Sequence, residues 1–342
     1  MDLAERDTAL QAAARLFFSP RFFKSATDLA KIAPSVFRGT LFRRLAVNRY
    51  EFGHSVPYSG GVNPNSSVTE PTNKRGTSLT LLQIVTLAII QGITEFLPVS
   101  SSGHLALTPV LMNWKDQGLA LDVAVHVGTL GAVMVYLWRE LWLITRGLFQ
   151  LPTGRIDEGA RLAWLVVISS IPVIIVGLSV KMFLGDTMRT PLVIGWAFIV
   201  FGVFLYLCDR LGLTIKRIPH MTAGAAFLIG IAQSFAIIPG ASRAGTTITM
   251  ARLLGFERRD AARFSMLISI PAIVGAGVSL GKDVLESGDT VLQANIILAA
   301  ALAFVTALIA IAGMMFWLRR QSYTPFVFYR IVLGIVILWV AA

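Results

Sequence analysis

The sequence predicts an all-α, polytopic integral membrane protein. Its expected plan is two inverted repeats, each a broken, re-entrant helix hairpin followed by three transmembrane helices. Three observations carry that expectation. Hydrophobic residues make up 55% of the 342 residues and charged residues only 14%, well short of the share in a soluble domain. Apolar runs of about 18 to 25 residues, each long enough to cross a bilayer as a helix, recur from residue 79 onward and lack the alternation of barrel strands. Two of these runs are interrupted by polar breaks, PVSSSGH at 98–104 and PGASRAGTT at 239–247.

The first 78 residues stand apart. They hold 11 Lys/Arg against 6 Asp/Glu. The stretch NPNSSVTEPTNKRGTS reads as a disordered linker, and RLFFSPRFFKSATDLAKIAPSVFRGTLFRRL as a basic amphipathic segment able to lie on a membrane surface. A start of translation downstream of this region is an equal alternative, and no chemistry is assigned to it. One membrane domain, 79–342, follows.

Its apolar segments are expected at 79–97, 102–114, 119–138, 162–184, 191–208, 222–238, 244–256, 262–281, 293–318 and 325–341. The stretches 139–161, 209–220, 252–263 and 319–320 are rich in arginine, whereas 282–292 sets Lys282 against Asp283, Glu286 and Asp289. The positive-inside rule makes the Arg-rich stretches cytoplasmic. It also accounts for the net charge of +11 without a nucleic-acid partner, and none is expected. Cys208 is the only cysteine, so no internal disulfide forms.

That sidedness has a consequence. Loops 209–220 and 257–263 both fall inside, yet segments 222–238 and 244–256 lie between them. Those two segments must enter and return, and the second is too short to cross comfortably. Segment 79–114 has the same form. Three spans follow each hairpin, so the second half starts on the opposite side from the first. The count puts residue 78 outside, against the basic character of the preceding tail. Polar breaks inside a bilayer need cover from protein or a water-filled cavity, so both breaks are expected to meet near the centre.

Their residues suggest why. Gln91 and Glu95 are four apart and share a helix face. Pro98 ends that helix. Ser100, Ser101 and Ser102 fall where a helix N-cap is favoured, with His104 in the first turn. In the second break Pro239 and Gly240 end one helix, Ser242 caps the next, and Arg243, Thr246 and Thr247 lie in its first turn. Two helix N-termini and an arginine fork make an anion site suited to phosphate. An arginine near a bilayer centre costs about 2.5–3.5 kcal/mol on insertion scales, so a function is expected of it. Serine and histidine beside it are parts for nucleophilic attack with acid/base help. Glu95 would orient the histidine, hold a divalent ion, or both. Other polar residues get structural readings: His126 as a satisfied core residue, Arg330 as a structural partner, Arg252 as a snorkelling side chain. His54 and His220 get no role, and Asp283, Glu286 and Asp289 are read as a solvated loop.

QGITEFLPVSSSGHL at 91–105 and PGASRAGTTI at 239–248, with FSMLISIPAIVGA at 264–276 and YTPFVFYRIVLG at 323–334, strongly resemble the undecaprenyl-diphosphate phosphatase family, also called bacitracin-resistance proteins. The likeness runs from about residue 80 to the end. The resemblance implies an integral-membrane phosphatase of the bacterial inner membrane. Such an enzyme converts undecaprenyl diphosphate to the monophosphate carrier of cell-wall synthesis, at a site facing the periplasm, with Mg²⁺ or Ca²⁺. It maps the acidic motif onto Gln91 and Glu95, the serine–histidine part onto Ser101 and His104, and the basic motif onto Ser242 and Arg243. Two departures stand out. Gln91 replaces a frequent glutamate, leaving Glu95 alone to carry charge toward a metal. Ala244 replaces the second serine of Ser-Arg-Ser.

The combined expectation is catalysis by Ser101, His104 and Glu95. Substrate would be bound by Arg243, Ser242, Ser100, Ser102, Thr246 and Gln91, and the metal by Glu95. The partners are a polyprenyl diphosphate lipid, the bilayer, and a second copy of the chain in a homodimer. A second class stays open, a transporter or flippase of undecaprenyl phosphate or a related anionic lipid, because inverted repeats with broken helices are common in transporters. A phosphatase of shorter prenyl diphosphates is a third.

Overall fold

The computed structural model describes residues 80–115, 117–150, 157–183, 190–212, 214–286 and 290–341. The expectations for the tail 1–78 and for Asp289 lie outside them. The described chain is helical: α1 Leu81–Thr94, α2 Ser101–Met112, α3 Leu119–Tyr136, α4 Trp138–Gln150, α5 Glu158–Phe183, α6 Pro191–Leu211, α7 Ala223–Ser234, α8 Arg243–Leu253, α9 Arg258–Glu286, α10 Thr290–Trp317 and α11 Thr324–Ala341. Among the described residues four stretches are long and apolar enough to cross a membrane, Glu158–Ser179, Pro191–Leu211, Ala294–Trp317 and Thr324–Ala341, and the bent pair Ala120–Tyr136 with Trp138–Gln150 is a fifth if it counts as one span.

The helices that flank the two polar breaks are short. α1 and α2 have 14 and 12 residues, α7 and α8 have 12 and 11. At 1.5 Å per residue each reaches roughly 16 to 21 Å, short of the ~30 Å hydrocarbon core. Local chemistry sets their ends. Thr80 and Gln83 form a capping box at the start of α1, and Thr222 caps α7 through the Ala225 N–H. Lys216 bridges to Phe256, and Arg217 Nε bonds Glu257 Oε1 at 2.7 Å. The start of α7 and the end of α8 therefore sit at one end of the bundle.

The Arg-rich stretches gather at that same end. Asp209 accepts from Arg252 Nε at 2.9 Å and from Arg258 Nε at 2.7 Å, and the Tyr323 hydroxyl donates to the Arg258 carbonyl at 2.7 Å. Arg263 pairs with Glu140, and Arg161 donates to the Met221 carbonyl. Arg252 corrects the sequence reading. It does not snorkel: it is fully buried, because its hydrogen bonds to Asp209 and to the Phe256 carbonyl take it inward.

Segment 138–150 is a second correction. Read as part of a charged loop, it forms α4, bent 80° from α3. Leu141 and Ile144 pack on the core while Trp138, Trp142 and Phe149 are exposed. Apolar positions on one face, with arginine and exposed tryptophan on the other, suit a helix at a membrane interface.

Packing between spans cannot draw on the hydrophobic effect in lipid and relies on close contact instead. α10 lies against α1 and α3, α5 against α7 and α4, and α6 against α11 and α8. Gly92 and Gly230 mark two close approaches. A Cβ at Gly92 would come within 2.8 Å of the Ala303 carbonyl, and one at Gly230 within 2.2 Å of the Ser169 carbonyl.

Candidate functional site

The two breaks share an unusual local build. α2 and α8 are each capped by a serine with positive φ, Ser100 at 73° and Ser242 at 71°. Few non-glycine residues adopt this conformation. Each serine Oγ accepts the N–H of the glycine three residues on, Gly103 at 3.4 Å and Gly245 at 3.0 Å. The first helical residue after each cap is then Ser101 in one break and Arg243 in the other.

Both reach the same carboxylate. Ser101 Oγ donates to Glu95 Oε2 at 2.6 Å, and Arg243 Nη2 pairs with Glu95 Oε1. Gln91 Nε2, one helical turn before Glu95, donates to Oε2 at 2.7 Å. Glu95 is 7% exposed and Gln91 fully buried. Four expected site residues from both breaks therefore meet: Gln91, Glu95, Ser101 and Arg243.

The breaks are also tied from below by Arg330 on α11. Its guanidinium is fully buried and donates to five backbone carbonyls: Pro98 at 3.2 Å in the first break, Gly240 and Ala241 at 2.9 Å in the second, and Ala197 and Phe198 at 3.3 Å on α6. The expected structural partner of Arg330 is thus the backbone of both breaks. A buried cation is tolerated when this fully hydrogen-bonded.

Glu95 does not orient His104, one of the two roles expected of it, because both imidazole nitrogens have other partners. The His104 Nδ1 bonds the Ser100 carbonyl at 2.7 Å and its Nε2 the Tyr329 hydroxyl at 2.6 Å. Ser102 is exposed, with its Oγ 3.4 Å from Ser100 Oγ. The Thr246 hydroxyl returns to the Arg243 carbonyl at 3.1 Å, a local backbone bond common for threonine in a first turn.

Two residues were missed by sequence reasoning. Tyr329 is one. His126 is the other: its Nδ1 bonds the Asp122 carbonyl at 2.6 Å, which leaves Nε2 facing Glu95 Oε2 at 3.7 Å. Its place one turn after Asp122 was visible, but nothing in the sequence shows which way that face of α3 turns.

Cation capacity follows from the donors. Among the described residues no group of three or more His, Cys, Asp or Glu could hold a metal, so a divalent ion at this site would rely on Glu95 together with carbonyls, water or substrate phosphates. A magnesium-type ion needs about one or two carboxylates plus substrate phosphates. Glu95 fits that role, and Gln91 Oε1 beside it is buried with no hydrogen-bond partner among the described residues.

A family model described as "Bacitracin resistance protein BacA" matches residues 84–336, which include both breaks and Arg330. The chain belongs to this family. Undecaprenyl-diphosphatase 1 of Rhodospirillum rubrum is 49% identical over 268 residues, covering 76% of this chain and 95% of the relative. The undecaprenyl-diphosphatase of Roseobacter denitrificans is 49% identical over 262 residues, covering 76% and 98%. That of Jannaschia sp. is 47% identical over 265 residues, covering 77% and 99%. The BacA family match begins inside α1, after the basic tail.

Proposed function

We propose that this chain hydrolyses undecaprenyl diphosphate to undecaprenyl phosphate and inorganic phosphate, as the names of its relatives describe for them. The observation that carries this is the meeting of Ser101 and Arg243, from two separate helix breaks, on the two oxygens of Glu95. A hydroxyl, a carboxylate and a guanidinium at two helix N-termini form an anion-binding and acid/base set in one place.

The chemistry follows from these groups. The diphosphate competes for Arg243, whose planar fork suits phosphate oxygens. As Arg243 turns to the phosphates, it and the N-terminal N–H groups of α2 and α8 stabilise the charge of the phosphoryl transition state. The Ser101 oxygen, or a water it positions, forms a bond to the terminal phosphorus. The bond from that phosphorus to the bridging oxygen breaks, and the lipid monophosphate leaves. Ser101 Oγ already donates to Glu95 Oε2, so Glu95 takes the proton of the attacking group. A water attack releases inorganic phosphate at once. A Ser101 attack leaves a phosphoserine that a second water cleaves. His104 supplies acid/base help to the leaving oxygen. Glu95, with help from Gln91, would hold a divalent ion, which when bound would supply charge neutralisation to the diphosphate.

Two inverted halves account for the packing. The first hairpin helix, α1, lies on α10, and its counterpart α7 lies on α5. These are the second spans after the opposite hairpins. The Arg-rich end faces the cytoplasm by its charge, the membrane is the bacterial inner membrane, and the site is reached from the periplasm.

Purified protein in detergent tests the reading, because detergent leaves no two sides between which to move a lipid. The wild type should release phosphate from undecaprenyl diphosphate, and Arg243→Ala should lose about 10²–10³-fold in kcat. No release by the wild type would leave lipid transport as the activity. Release by Arg243→Ala at the wild-type rate would remove Arg243 from the mechanism.

A further inference from the structure

We infer that Tyr329 is a positioning residue for His104, holding the imidazole in one orientation through both its neutral and its protonated states. The inference rests on the reading of His104 as the acid/base group.

The two ring nitrogens of His104 have different partners. Nδ1 lies 2.7 Å from the Ser100 carbonyl. A carbonyl only accepts, so Nδ1 carries a proton. In the neutral ring Nε2 is then the lone-pair nitrogen, and the Tyr329 hydroxyl 2.6 Å away donates to it. When Nε2 is protonated, the same hydroxyl rotates and accepts, and a proton passes between Nε2 and the reacting oxygen by exchange through that hydroxyl, which takes one proton as it gives up the other. A hydroxyl is one of the few side-chain groups able to serve both states without moving its oxygen. A lysine or an arginine in that place would serve only the neutral ring, and a carboxylate only the charged one.

The surroundings fix the ring further. The Tyr329 and His104 rings are nearly parallel, 5° apart with centroids at 5.7 Å, and Phe198 lies tilted against His104 at 5.6 Å. The Ser100 carbonyl that anchors Nδ1 belongs to the positive-φ cap of the first break. Tyr329 is itself anchored, because the next residue, Arg330, is clamped to the carbonyls of both breaks. One dipeptide of α11 therefore sets the breaks with one side chain and the histidine with the other.

The test compares Tyr329→Phe, His104→Ala and the double variant with wild type, in detergent, on undecaprenyl diphosphate. Phenylalanine keeps the ring and removes only the hydroxyl, and thermal unfolding checks that the fold is retained. Tyr329→Phe should lower kcat about tenfold or more while leaving KM within about twofold, as expected for loss of orientation rather than of binding. The double variant should be no slower than His104→Ala, because the hydroxyl acts only through the imidazole. In ¹⁵N-histidine spectra, with four histidines in the chain and the His104 signals assigned by difference, Tyr329→Phe should broaden or shift the Nε2 resonance. A Tyr329→Phe enzyme with normal kcat beside an inactive His104→Ala overturns this inference alone. So does a double variant whose losses multiply. A His104→Ala enzyme at the wild-type rate overturns the reading of His104 itself, and this inference with it.

Discussion

Ser101 and Arg243 hold the same place in two different helix breaks: each follows a positive-φ serine cap, and each takes one oxygen of Glu95. The same backbone device thus presents a hydroxyl in one break and a guanidinium in the other. Neither break contains a complete site. The carboxylate between them keeps the cation and the hydroxyl in register.

The Glu95–Arg243 pair is buried, with side chains 5% and 17% exposed. Removing one partner of such a pair leaves a stranded charge and costs about 3–5 kcal/mol. Glu95→Ala should therefore destabilise the protein by roughly 3 kcal/mol, and adding Arg243→Ala should restore part of that loss. Denaturation of the two single variants and the double variant in detergent measures the coupling. Additive losses would mean that the pair carries no net interaction.

The serine caps offer a cleaner contrast. At φ near +70°, glycine relieves backbone strain and gives up little capping, whereas alanine keeps the strain and loses the cap. Ser242→Gly should be more stable than Ser242→Ala by about 1–2 kcal/mol. Thermal unfolding of the two variants decides it, and equal stabilities would remove strain from the account.

Arg330 should be hard to replace even by residues of its own size. Arg330→Met leaves the carbonyls of Pro98, Gly240 and Ala241 in the two breaks without this donor, at about 1–3 kcal/mol for each group left unsatisfied, while Ala197 and Phe198 keep their bonds within α6. Stability and phosphate release should fall together. A folded, fully active Arg330→Met protein would show that water replaces the clamp.

Cation dependence should follow the count of carboxylates. A chelator should abolish phosphate release and Mg²⁺ restore it. Gln91→Glu places a second carboxylate one turn from Glu95 and should lower the Mg²⁺ needed for half-maximal activity about tenfold. Release that ignores the chelator would remove the metal from the mechanism.

Much of this site is legible in the sequence because its signals are local. Pro98, Pro239 and the cap serines mark the breaks, and the spacing of Gln91 and Glu95 places both on one face. The meeting of the breaks was legible through charge sidedness, since the arginines of loops 209–220 and 252–263 force a hairpin between them. What was hidden is tertiary. α4 carries both arginines and tryptophans, and its periodicity was masked by its charge. Tyr329 and His126 sit on apolar helices, where spacing alone does not reveal which neighbour a side chain meets. Arg330 bonds to carbonyls, which leave no mark in a sequence. The positive φ of Ser100 and Ser242 is likewise invisible, because serine caps usually adopt extended backbone.

The grip of Arg330 on Pro98, Gly240 and Ala241 bears on how material passes through this molecule. Machines that carry cargo across a bilayer by rocking need their two halves to slide past one another about a fixed centre. Here a single buried cation fastens one helix break to the other, so a stroke that parted the breaks would have to rupture its bonds on every cycle. A catalyst that leaves its lipid where it lies and cuts only the headgroup never needs that stroke.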